Sequence, residues 1–150
     1  VQLIWQSGKY YEESVKAALA GKDYDYVVQM PFITRMDMAY KAADLVISRA
    51  GAGSISELCL LGKPALLVPS PNVAEDHQTK NAMALSEKGA ALLIPDSEAV
   101  ARLIDTAMDI VRNDVLLEKM QQRILSLAQR DSAARIADII LEIVAEKKSK

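Results

Sequence analysis

Strand-sized apolar runs alternate with helix-like stretches along most of the chain, and this alternation limits the fold more than any other feature. The runs are Val1–Trp5, Tyr26–Met30, Leu45–Ser48, Ala65–Pro69 and Ala91–Ile94. Helical periodicity marks the stretches between and after them: Tyr11–Ala20, Thr34–Ala43, Ser54–Leu61, Asp76–Lys88 and Ser97–Arg112. Most of the runs are continuously apolar, the pattern of parallel strands covered on both faces. Strand–helix–strand units with right-handed crossovers build an α/β fold, a Rossmann-like parallel sheet flanked by helices.

Glycine placement supports these boundaries. Gly21, Gly62 and Gly89 fall just past helical stretches, where a left-handed residue ends a helix. Gly8, Gly51 and Gly53 fall in strand-to-helix turns, at the end of a parallel sheet where ligands bind. The chain finishes all-helical. Val100, Leu103, Ile104, Ala107 and Val111 share one helix face. Leu117, Met120, Ile124 and Leu127 form a second stripe, and Ile136, Ile139, Ile140, Ile143 and Val144 a third. All three stripes are predicted to pack into the core. A Rossmann-like half normally opens with a central strand and a glycine-rich turn, and nothing ahead of Val1 supplies them. The chain therefore reads as one domain truncated from a longer protein.

A chain of 150 residues can bury one hydrophobic core. A formal net charge of −2 argues against nucleic acid as a partner, because few phosphates could be neutralised. Cys59 stands alone, so no intramolecular disulfide forms and a reducing, cytoplasmic setting fits. With one His and one Cys, a dedicated zinc site is not expected. No run is long enough to span a membrane and no signal peptide opens the chain. The basic Glu146–Lys150 tail reads as a solvated terminus.

The most informative stretch is Ser48-Arg49-Ala50-Gly51-Ala52-Gly53-Ser54-Ile55-Ser56-Glu57. A strand ends, a turn of small residues follows, and a helix is predicted to start at Ser54. Without side chains at Gly51 and Gly53 a ligand can approach the backbone, where free N–H groups and the positive helix end suit a diphosphate. Ser54-x-x-Glu57 equally reads as a capping box, a well-made helix start and nothing more. Arg49, at the strand's end, is either a phosphate partner or half of a surface ion pair.

A second stretch runs from Pro69 to Ala82, a proline-rich loop entering a helix with Asp76 as the predicted N-cap. His77, Gln78 and Asn81 fall within one arc of that helix. Such neutral donors and acceptors suit sugar hydroxyls, though polar residues in a first turn are commonplace. A third, Met30-Pro31-Phe32-Ile33, places an aromatic and an aliphatic residue after a strand, able to flank a planar base or to seal the core. All three loops follow strands, so in a parallel sheet they are expected to converge on one edge and to hold an anionic, polar ligand such as a nucleotide derivative.

These residues also carry a resemblance. Phe32-Ile33, Ala43 through Ala52, Glu57-Leu58, Gly62-Lys63-Pro64-Ala65 and Asp76-His77-Gln78-x-x-Asn81-Ala82 resemble, in order and spacing, the carboxyl-terminal domain of the MurG family. That family comprises the N-acetylglucosaminyltransferases of peptidoglycan synthesis, inverting enzymes of two-domain GT-B architecture. The resemblance implies that this chain is the second, donor-binding GT-B domain and takes UDP-N-acetylglucosamine. It implies uracil contact by the backbone of Ile33 with Phe32 beside it, and ribose contact by Glu57. The amides of Ala52 and Gly53 with Ser54 would bind the diphosphate, supported by Arg49. His77 and Gln78 would read the sugar hydroxyls, with Asn81 supporting that helix face. No cofactor is implied, and no metal is required where a helix end and amides stabilise the leaving diphosphate.

The resemblance further implies that the full-length protein uses lipid I as acceptor and makes lipid II, at the cytoplasmic face of the inner membrane. The acceptor site and the general base belong to an amino-terminal domain for which this chain has no counterpart. His77 sits on the donor side and does not qualify as that base. The isolated chain is expected to bind donor without turning it over. The alternative is the donor domain or subunit of another GT-B UDP-sugar transferase. A sheet lacking its central strand would also invite pairing with a second copy, so self-association is expected.

Overall fold

The computed structural model describes residues 1–72 and 76–148. Val73, Ala74 and Glu75 of the second loop lie outside the described residues, as do Ser149 and Lys150 of the basic tail. The chain divides into two compact units, Val1–Ala43 and Asp44–Lys150.

The first unit is a βαβα arrangement of β1 (Leu3–Gln6), α1 (Glu12–Leu19), β2 (Val27–Met30) and α2 (Met36–Ala42). The two strands pair in parallel with Leu3 opposite Val27 and Gln6 opposite Met30. Leu3 N–H to Tyr26 O, at 2.8 Å, and Ser7 N–H to Met30 O, at 3.1 Å, continue the ladder at either end. All four β1 residues are exposed, contrary to the expectation of strands covered on both faces. The reason is local: α1 buries Val15, and α2 buries no residue.

The second unit contains β3 (Val46–Ser48), α3 (Ala52–Leu61), β4 (Ala65–Leu67), α4 (His77–Ser86), β5 (Ala91–Leu93), α5 (Asp96–Val111), α6 (Asp114–Ser126) and α7 (Ser132–Lys148). Its sheet has the order β3-β4-β5 with every pair parallel, as the alternation predicts. The central β4 is fully buried, so here the both-faces rule holds. Gly62, left-handed at φ +62°, ends α3 and lets Lys63 N–H reach Leu58 O at 3.0 Å. The chain can then turn directly into β4. Asn113 caps α6 by accepting from Leu116 N–H at 3.0 Å.

Leu66, Ile94, Ile110 and Met120 form the core, packed against Leu103, Ala107, Leu116 and Leu117 among others. The α6 stripe is therefore buried as predicted, and the other two need correction. On α5 the covered face is Ala99, Leu103, Ala107 and Ile110, whereas Val100 and Ile104 are exposed. The apolar arc of α5 is simply wider than the surface packed against it. On α7 Ile136, Ile139, Ile140, Ile143 and Val144 are 43–59% exposed and do not join the core. No helix among the described residues is long and apolar enough to cross a membrane.

Candidate functional site

The turn after β3 differs from the capping-box reading. Gly51 is the N-cap, extended at φ −66° and ψ 146°, and no side chain caps the helix. The first helical bond runs from Ile55 N–H to Gly51 O at 3.0 Å. The helix thus starts at Ala52, making Ser54 its third residue and leaving Ser54 and Glu57 without a capping box. Once Gly51 adopts the extended N-cap conformation, the helix winds two residues before the serine.

This start leaves the N–H groups of Ala52, Gly53 and Ser54 without intrahelical acceptors. The first turn of α3 contains no acidic residue, so the positive helix end is not offset from within. Neither glycine is required by the chain's own sterics. A Cβ at Gly53 would meet nothing within 4 Å, and one at Gly51 would touch only Ser54 Oγ at 4.0 Å. What the glycines provide is a helix start free of side chains at positions 51 and 53.

Beside this turn, α4 brings two side chains onto one residue of it. Gln78 Oε1 accepts from Ala50 N–H at 3.1 Å and from Ser70 N–H at 3.0 Å. Asn81 Nδ2 donates to Ala50 O at 3.1 Å. The loops after β3 and β4 therefore converge, as parallel topology demands. His77 opens α4 and is exposed. Asp76 occupies the predicted N-cap position in a left-handed conformation, φ +53°, but its side chain makes no capping bond. Glu57 lies exposed on the second turn of α3.

Arg49 ties three strand ends together. Its Nη1 donates to Val68 O and Pro69 O, both at 3.2 Å, and pairs with the Asp96 carboxylate at the start of α5. The ion pair is exposed and worth at most about 1 kcal/mol. The contribution of Arg49 is to fix where the strand-end loops sit. Asp96 and Ser70 were not among the residues singled out from the sequence. Pro95-Asp96 also follows a strand, and the strand-end rule extended to this third turn would have found it.

A cavity of about 420 Å³ lies between the loops after β4 and β5, lined by Pro69, Pro71, Asp76, Thr79, Pro95 and Asp96 among others. In the first unit Phe32 is 63% exposed, which rules out the core-sealing role. Ile33 N–H donates to Gln6 Oε1 at 2.8 Å, so the end of β1 fixes the loop after β2. Hydrogen bonding to Arg35 holds the Asp37 carboxyl below its ordinary value at the start of α2. Burial pushes the Cys59 thiol up, partly countered by Lys88.

Parallel strands followed by helices, with the strand-end loops gathered at one edge of the sheet, define a Rossmann-like α/β domain. Residues 1–139 match the glycosyltransferase family 28 C-terminal domain, and the chain belongs to that family. A relative from Porphyromonas gingivalis is 57% identical over 99% of this chain. It is named UDP-N-acetylglucosamine--N-acetylmuramyl-(pentapeptide) pyrophosphoryl-undecaprenol N-acetylglucosamine transferase. An identically named Parabacteroides distasonis protein is 57% identical over 98% of the chain. The chain spans 39% of the length of the first and 40% of the second. The crystal structure of Acinetobacter baumannii MurG matches with a TM-score of 0.81 and 32% identity, over 93% of this chain and 42% of that one. A kitacinnamycin glycotransferase, 22% identical with a TM-score of 0.69, shares the fold. The relation to MurG thus bears out the resemblance, and with it the α/β fold of a second GT-B half.

Proposed function

We propose that this chain is the donor-binding half of a peptidoglycan N-acetylglucosaminyltransferase and takes UDP-N-acetylglucosamine. The observation that carries the reading is the start of α3, where Gly51 and Gly53 leave open the approach to the unpaired amides of Ala52, Gly53 and Ser54. A diphosphate there would meet donors already fixed in place, so charge developing on the departing UDP is stabilised without reorganisation. Glu57, one turn along α3, is assigned to the ribose hydroxyls. His77, with the Gln78 amide nitrogen and the Asn81 amide oxygen, is assigned to the sugar. In the first unit, Ile33 is assigned to the uracil with Phe32 beside it. Because Gln6 takes the Ile33 N–H, the contact falls to the Ile33 carbonyl, which would accept from the base. Arg49 is assigned a supporting role, its Nη1 being held by Val68, Pro69 and Asp96.

In the full-length protein this half would supply donor for transfer to lipid I, with acceptor and general base provided by the other domain at the cytoplasmic membrane face. Calorimetric titration with UDP-N-acetylglucosamine, UDP-glucose and UDP tests the donor assignment. Saturable binding that prefers the N-acetylated sugar and is lost in Glu57→Ala supports it. Equal affinity for all three would leave a generic UDP site of another GT-B transferase. No binding by the folded chain would sink the reading.

A further inference from the structure

We infer that Gln78 and Asn81 are positioning residues for the anion-binding turn, so that nucleotide affinity depends on them even when no sugar is attached. The inference rests on the donor-site reading above and assigns these two side chains a role that reaches the ligand through the backbone.

Ala50 lies after β3 and before α3, so neither a ladder nor a helix satisfies its backbone groups, yet the residue is wholly buried. Buried backbone polar groups require partners. Both come from α4: Gln78 Oε1 takes the N–H at 3.1 Å and Asn81 Nδ2 the C=O at 3.1 Å. At a spacing of three on one helix, the two side chains share a face. Gln78 Oε1 also accepts from Ser70 N–H at 3.0 Å, which uses both lone pairs of that oxygen. That oxygen therefore cannot serve as acceptor for a sugar hydroxyl. Ala50 is two residues ahead of Ala52, the first free amide of α3. Holding the peptide groups on either side of Ala50 aims those amides before a ligand arrives, the preorganisation that raises affinity without new contacts.

Two measurements on the 150-residue chain test this. The first is amide hydrogen exchange without ligand in the unsubstituted chain, Gln78→Met and Gln78→Glu. Gln78→Met should speed exchange at Ala50 and Ser70 about tenfold or more, while Gln78→Glu, which retains an acceptor oxygen, should restore protection. The second is the affinity of Gln78→Met for UDP and for UDP-N-acetylglucosamine: UDP binding is expected to weaken by about tenfold, and the sugar nucleotide by at least as much because the Gln78 amide nitrogen is lost as well. Should Gln78→Met fail to fold, Asn81→Ser removes a single bond and takes its place in the titrations. Unchanged protection at Ala50 and Ser70 in a folded Gln78→Met overturns the inference. So does a loss confined to the sugar nucleotide with UDP affinity intact, since the side chains would then be reading the sugar. If the unsubstituted chain binds neither ligand, the donor reading itself falls and the coupling falls with it.

Discussion

Replacing Gly53 with alanine should move stability and ligand affinity in opposite directions. Gly53 is the second residue of α3, its φ is not in the left-handed region, and an added Cβ meets nothing within 4 Å. Alanine therefore introduces no clash and restricts the unfolded chain, stabilising the fold by about 0.5–1 kcal/mol. For a chain of this size that is a rise of roughly 1–4 °C in Tm by circular dichroism. On the donor-site reading, the same methyl group would narrow a ligand's approach to the α3 amides. Displacing a diphosphate oxygen from one charge-assisted hydrogen bond costs about 1.5–3 kcal/mol, or roughly tenfold to a hundredfold in Kd for UDP. Calorimetry on the folded variant reads this directly. Unchanged UDP affinity alongside the raised Tm would show that the glycine keeps no space for a ligand. A lowered Tm would refute the steric reasoning itself.

Gly62→Ala gives the contrasting result at a glycine the fold does require. At φ +62°, with Leu125 Cβ 3.4 Å from the added methyl, it should destabilise by about 1–2 kcal/mol, checked by urea unfolding, and leave the binding residues in place. Cys59, only 5% exposed with its thiol pKa raised by burial, should alkylate at pH 8 no faster than the second unit opens. Because the fold favours the neutral thiol, stability should decline as pH rises above the ordinary value of 9.0, where the unfolded thiol ionises first. Cys59→Ala, measured between pH 8 and 10, should flatten that decline.

The strand–helix alternation was legible because each segment announces its own period and its own glycine stop, as at Gly62 and Gly89. Boundaries shifted by a residue or two, most tellingly at α3, where Ser54-x-x-Glu57 mimics a capping box although Gly51 is the N-cap. Periodicity identifies an apolar face but not whether anything covers it. Hence α6 packs as expected while Ile136 through Val144 on α7, and Val100 on α5, remain exposed. In the site, the residue types were readable and their partners were not. Arg49 meets Asp96 across 47 positions and Gln78 meets Ala50 across 28, distances over which no local pattern operates. A side chain that looks ready for a ligand can thus be spent on the backbone, and only the tertiary structure distinguishes the two.

The most direct test of donor binding at the α3 start is a titration of the isotopically labelled chain with UDP-N-acetylglucosamine, followed by amide chemical shifts. Saturable changes should be largest at Ala52, Gly53 and Ser54, with Ala50 and Ser70 responding through Gln78. Saturable changes centred instead on the cavity between Pro69 and Asp96, with the α3 amides unmoved, would contradict it.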